Sequence, residues 1–255
     1  MSTSAFLERV VPTYRRIFPS SDPRQPDVRL PLRTELFLAA HNDETGRAHI
    51  GLRALCLGLA GAILLELWLT GRVLIGYAYR VRENDYISDP GRILILDSGL
   101  YGDPLTDAAI TLLNRTGGQI YVSDFLRQFA TLDLYDRVKG DMLATGVLRR
   151  DTSRRRRIFR RDGYLPVKKA YPVRIRTWLH DLASSRHPGD SRDLGKIQTF
   201  ALAGLVAALG LTRNLFHPDP SWLHGRLMDG ITSLYDSTIR DVHAAVNPAN
   251  RRYVR

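Results

Sequence analysis

Apolar residues fall along the chain in one dominant helical run and one shorter one. Between Leu52 and Thr70, Leu57, Gly61, Leu64, Leu65 and Trp68 recur at the spacing of a helix, and Gly71 then ends the run. Its charge-free stretch, Ala54 to Leu65, is twelve residues long, against roughly 20 needed to cross a bilayer. The pattern predicts a buried core helix. The stretch from Ala201 to Leu211, led by Phe200, reads the same way, so any membrane attachment is expected to be peripheral.

Shorter elements surround these two. Pro31-Leu32-Arg33-Thr34-Glu35 opens a short helix through Ala40, and Asn42-Asp43-Glu44-Thr45-Gly46 makes a turn. Two stretches rich in β-formers, Arg72 to Tyr79 and Arg92 to Leu96, predict paired strands with Asn84 to Gly91 between them. Asp103-Pro104 starts a helix through about Leu113, Ser123 is positioned as the N-cap of a helix through Phe129, and Leu132 to Thr145 is helical by period. Further helices are expected at Val173–Ser184, Leu194–Leu211, Trp222–Leu227 and Ile231–Ala245, divided by Pro188-Gly189 and Pro218-Asp219-Pro220. No repeat period or linker separates a second domain. The expected fold is mainly α: one helical domain over 29–255 with two small β-hairpins. Residues 1–28, with Pro12, Pro19, Pro23 and Pro26 and no apolar signal-peptide region, read as a partly disordered arm.

Charge changes this picture at one place. Residues Arg149 to Arg161 hold eight arginines (Arg149, Arg150, Arg154, Arg155, Arg156, Arg157, Arg160 and Arg161) and one aspartate, +7 of the chain's net +11. Guanidinium groups keep their charge at any cellular pH, so such a cluster faces water or an anionic partner. Val147-Leu148, the polar Asp151-Thr152-Ser153 and Ile158-Phe159 predict a β-hairpin over about 147–165, a cationic finger with Ile158 and Phe159 near its tip or returning strand. Set against this is a flexible solvated loop, a common fate of like-charge blocks. Three partners suit a finger: an anionic lipid, a nucleic acid backbone or an acidic protein.

Candidate chemistry is sparse. No G-x-S-x-G, Walker, G-x-G-x-x-G or H-E-x-x-H pattern occurs, and the seven histidines lack metal-ligand spacing. No catalytic residue, metal or cofactor is expected. The single cysteine, Cys56, lies in the apolar run and reads as packing in a reducing compartment. Gly58-Leu59-Ala60-Gly61 suits close helix packing better than phosphate binding. Asp103 and Asp107 suit capping and first-turn stabilisation. Glu66 inside the apolar run predicts a core ion pair, with Arg72 as the expected partner.

Four separated pieces resemble the Golgi phosphoprotein 3 family. They are Leu36-Phe37-Leu38-Ala39-Ala40 with Asn42-Asp43-Glu44-Thr45-Gly46, Gly58 to Leu67 with Gly71-Arg72, Gly102-Asp103-Pro104-Leu105 with Asp107-Ala108-Ala109, and Leu143 to Leu148 ahead of the hairpin. They span about residues 30–165, and the Asp-Glu-Thr-Gly form is similar to the actinobacterial branch. The resemblance implies a non-enzymatic helical protein. Eukaryotic members bind phosphatidylinositol 4-phosphate on the cytoplasmic side of the Golgi membrane and act as adaptors for membrane enzymes. Their pocket uses a tryptophan and an arginine on the core helix and arginines on the helix before an apolar, bilayer-dipping hairpin. The matching positions here are Gly51, Ala60, Leu132 and Tyr135, with only Arg137 basic in kind. Arg53 and Lys139 are nearby cations that could substitute. The arginine-rich hairpin shifts the expected mode from insertion to electrostatic docking.

The expectation is therefore a peripheral protein on the inner face of the cell membrane, binding anionic phospholipid through Arg53, Arg137, Arg149, Arg150, Arg154–Arg157, Arg160 and Arg161, with Ile158 and Phe159 in apolar contact. Cytoplasmic tails of membrane proteins are candidate further partners. The alternative is a winged-helix-like nucleic-acid binder using the hairpin as a wing. Asp133, Asp136 and Asp141 on the preceding helix count against it. Head-group specificity, client proteins and oligomeric state have no signal in the sequence.

Overall fold

A computed structural model describes residues 29–76, 78–82, 85–88, 90–117, 120–151, 163–184, 194–216, 225–229 and 238–247. Within these, helix α1 (Leu32–Ala39) leads to α2 (Leu52–Leu69), strands β1 (Val73–Ile75), β2 (Ala78–Arg82), β3 (Asp85–Ser88) and β4 (Arg92–Ile95), and helix α3 (Pro104–Arg115). The short strand β5 (Ile120–Tyr121) runs into α4 (Val122–Phe129), then α5 (Asp133–Ala144), the ribbon β6 (Leu148–Asp151) and β7 (Gly163–Pro166), and α6 (Ala170–Ser184). Helices α7 (Leu194–Ala208), α8 (Thr212–Leu215) and α9 (Thr238–Val246) complete the order. The protein is mainly α, as its periodicity predicts.

Helix α2 is the axis of the core. Every residue from Leu55 to Leu69 is buried, because a helix apolar on all sides must be covered on all sides. It is long and apolar enough to span a membrane by length and composition, yet most of it is enclosed by the fold. Helices α1, α3, α4, α5, α7 and α9 pack around it. Gly58 and Gly61 make that possible. A Cβ at Gly58 would lie 2.5 Å from Leu209 Cδ1, and one at Gly61 would lie 2.9 Å from Val246 Cγ2. The small-residue patch is a packing seam, and Cys56 is buried beside it.

The β-structure is richer than two hairpins. β1 pairs with β4 as expected (Val73↔Ile95, Ile75↔Ile93), and β4 also pairs with β5, making a three-stranded sheet. The stretch read as one strand, Arg72 to Tyr79, divides at Gly76, whose φ of +66° turns the chain out of the sheet. Beyond that turn β2 and β3 form a separate hairpin, with Ala78↔Ser88. Ser123 is also not a cap: the helix starts at Val122 after extended Tyr121, and no side chain caps it. There the β4–β5 pairing delivers the chain, and Val122 N–H donates to the Gly91 carbonyl at 2.7 Å. Of the predicted last helices, residues 225–229 and α9 are described; the 1–28 arm and residues 217–224 and 230–237 lie outside the described residues.

Candidate functional site

The carboxylates with candidate chemistry are tied into buried ion pairs. Glu66 does not meet Arg72. Its carboxylate accepts the Arg33 backbone N–H at 2.8 Å and pairs with the Arg33 guanidinium. The same guanidinium reaches Asp103 Oδ2 at 2.9 Å and Asp141 Oδ2 at 3.5 Å. Arg33 thus joins α1, α2, the start of α3 and α5 at one point. Burial opposes its charge, but Glu66, Asp103 and Asp141 outweigh that and hold its pKa above the ordinary value. Arg72 instead donates to the Gly99 carbonyl and stacks over Tyr101, with Asp107 at 4.0 Å. Asp103 is the expected cap of α3, accepting from Leu105 N–H, with Pro104 in the first turn. Asp107 ties down the entering loop through Tyr101 N–H and Gly102 N–H at 3.0 and 2.8 Å. Among the described residues no group of His, Cys, Asp and Glu could hold a metal.

Glu35 is a second buried acid. Burial pushes its pKa up to about 7, only partly offset by Arg29 at 3.4 Å. As pH rises from the ordinary glutamate value of 4.5, the unfolded chain releases this proton first, so stability falls across that window and levels off above pH 7. Glu35→Gln should match the native protein near pH 4.5 and exceed it at pH 8 by up to roughly 3 kcal/mol. Urea titrations at the two pH values check this; an identical difference at both would contradict it.

The arginine-rich ribbon begins as predicted. β6 and β7 pair antiparallel from Leu148↔Pro166 through Arg150↔Tyr164 to Asp151↔Gly163. Arg149 and Arg150 are exposed and, being adjacent on a strand, point to opposite faces of the ribbon. Val147 and Leu148 are buried, which roots the ribbon in the core. Arg154, Arg155, Arg156, Arg157, Arg160, Arg161, Ile158 and Phe159 lie outside the described residues.

Three contacts brace the root. The turn at 42–46 is closed by Asn42 Oδ1, which accepts from the backbone N–H groups of Glu44 and Thr45. Its Gly46, at φ +62°, lies so close to β7 that a Cβ would sit 2.4 Å from the Tyr164 carbonyl oxygen. Asp43 pairs with Arg176 of α6 at 2.7 Å. Gly46→Ala would force both a left-handed backbone and a clash with backbone, costing about 3 kcal/mol. Chemical denaturation measures it, and a loss under about 1 kcal/mol would contradict the packing. Beside the turn, His41 Nδ1–H donates to the Phe37 carbonyl at 2.7 Å, leaving Nε2 to accept from the Tyr135 hydroxyl at 3.1 Å. Burial lowers the His41 pKa to about 4, so the ring is neutral and fixed in this arrangement. Lys139 places its ammonium 5.0 Å from the Tyr135 ring and 4.8 Å from the Tyr164 ring, and pairs with Asp136.

The remaining expected cations are dispersed. Arg53 is exposed on the first turn of α2. Arg137 is exposed on α5 and turns toward α3, donating to the Pro104 carbonyl at 3.4 Å. At the positions matched to a family pocket, Ala60 is fully buried, Leu132 is exposed, Tyr135 is engaged by His41, and Gly51 has no side chain to offer. The part played by Gly46 and Tyr164 in holding the ribbon is absent from the sequence reading. The turn itself is legible there, but nothing local marks Tyr164 as its partner.

No curated protein matches the chain at a significant level. The family model described as Golgi phosphoprotein 3 (GPP34) matches residues 32–252, which takes in the buried Arg33 network, the α2 seam and the ribbon root. The chain belongs to the Golgi phosphoprotein 3 family.

Proposed function

We propose that the protein is a peripheral membrane protein that docks on anionic phospholipid head groups through its arginine-rich ribbon and acts as a non-enzymatic adaptor. The observation that carries this reading is the concentration of +7 between Arg149 and Arg161, on a ribbon whose described root is rigidly braced and exposes Arg149 and Arg150. A basic residue near an anionic leaflet is worth about 1 kcal/mol. Eight arginines then supply several kcal/mol even after screening, enough for reversible docking. Ile158 and Phe159 would add shallow apolar contact.

Recognition is by charge density rather than by a stereospecific phosphatidylinositol 4-phosphate pocket, since the four matched pocket positions offer Gly51, Ala60, Leu132 and Tyr135. The site of action is the cytoplasmic face of the cell membrane, and the candidate clients are cytoplasmic tails of membrane proteins. Against a nucleic-acid role, α5 carries three aspartates and its Asp141 is committed to Arg33. Co-sedimentation of the native protein with phosphatidylserine-containing vesicles, beside neutral vesicles and a duplex DNA gel shift at physiological salt, tests the proposal. Binding to anionic vesicles alone supports it. Equal binding to both vesicle types, or preference for DNA, removes it.

A further inference from the structure

The positive charge does not end with the finger. Residues 147–180 contain twelve lysines and arginines against only Asp151 and Asp162, so this segment holds +10 of the chain's +11. From Gly163 to His180 there is no carboxylate at all. Lys168 and Lys169 are exposed in the connector between β7 and α6. They stand beside two exposed apolar side chains, Val167 (47 %) and Val173 (52 %). Val167 is held at the ribbon root, where its N–H donates to the Val147 carbonyl at 2.9 Å. Val173 begins an exposed stripe of α6 that continues through Thr177 to His180. Acids flanking this region are Asp43 and Glu44 in the 42–46 turn, Asp43 being paired with Arg176 at 2.7 Å, and the exposed Asp181 further along α6.

Lysines flanking apolar side chains, in a stretch that itself carries no carboxylate, form the pattern that beds into the head-group region of an anionic bilayer. We infer that the connector and first turn of α6 are a second footing on the same membrane, and that the ribbon lies along the bilayer surface rather than standing on its tip. This rests on the lipid-docking reading above. The two poses differ in which charges they bring to the head groups. An upright ribbon would lift Val167 and its lysines by four strand residues above Asp151, roughly 13 Å. That exceeds the Debye length of about 8 Å at physiological salt, so Lys168 and Lys169 would contribute little. A ribbon lying flat brings both ends of the +10 segment to the head groups together.

The test is co-sedimentation with phosphatidylserine/phosphatidylcholine vesicles of the native protein, a Lys168→Ser/Lys169→Ser variant and a Val167→Ser/Val173→Ser variant. All the exchanged side chains are exposed, and near-ultraviolet circular dichroism checks that each variant keeps native packing. The lysine pair should bind about tenfold more weakly and the valine pair several-fold more weakly. If the native protein binds anionic vesicles and both variants match it, the second footing is wrong while lipid docking stands. If the native protein does not distinguish anionic from neutral vesicles, the lipid-docking reading fails and the footing with it.

Discussion

Replacing Arg33 with methionine is expected to destabilise the protein by about 3–5 kcal/mol, a large share of the stability of a typical domain. The guanidinium is nearly inaccessible and is approached by the carboxylates of Glu66, Asp103 and Asp141. Methionine keeps the length and fills the space, so what is lost is charge. Glu66, buried in the apolar α2, would be left facing two other acids with only the Arg33 backbone N–H for compensation. Burial already raises its pKa, and the opposing pull of Arg33 would be gone, so the pKa would rise further. The loss should therefore be larger at pH 8 than at pH 5. Adding Glu66→Leu to Arg33→Met should recover part of the stability, because removing a buried pair together costs less than orphaning one member. Denaturant titration of the single and double variants measures both effects. A single variant within about 1 kcal/mol of native would show that Arg33 does not organise the core.

Much of this fold is readable in the sequence because its causes are local. Leu57, Gly61, Leu64, Leu65 and Trp68 declare a buried helix by spacing alone, and Asp103-Pro104 declares a helix start by the chemistry of its cap. What sequence does not supply is pairing across distance. Glu66 demands a cation, and Arg72 is the nearest candidate beyond its helix, yet Arg33 lies 33 residues earlier and is delivered by α1 packing across α2. Ser123 has the right chemistry for a cap, but the strand pairing of β4 with β5 starts α4 two residues sooner, with Tyr121 in the cap position. At the candidate site the charge is legible and the support is not. The clustered arginines and the apolar residues flanking a polar turn predict an exposed ribbon, while its bracing by Gly46 against Tyr164 depends on a turn more than a hundred residues away. Val167 and Val173 give no signal in sequence, because exposure of an apolar side chain is decided by what the fold leaves uncovered.

The second large effect concerns Arg154, Arg155, Arg156 and Arg157. Changing all four to serine removes +4 of the +7 held between Arg149 and Arg161. It leaves untouched the described root, where Leu148 pairs with Pro166 and Gly46 meets Tyr164. At about 1 kcal/mol for each basic residue at an anionic surface, discounted for screening, affinity for anionic vesicles should fall about a hundredfold. Stability should stay within about 0.5 kcal/mol of native, because the buried root residues are unchanged. The decisive measurement is side-by-side co-sedimentation of the native protein and this four-serine variant with phosphatidylserine-containing vesicles at physiological salt. The native chain should pellet with the vesicles while the variant stays in the supernatant; equal pelleting of the two would show that the arginines are not what holds the protein to the membrane.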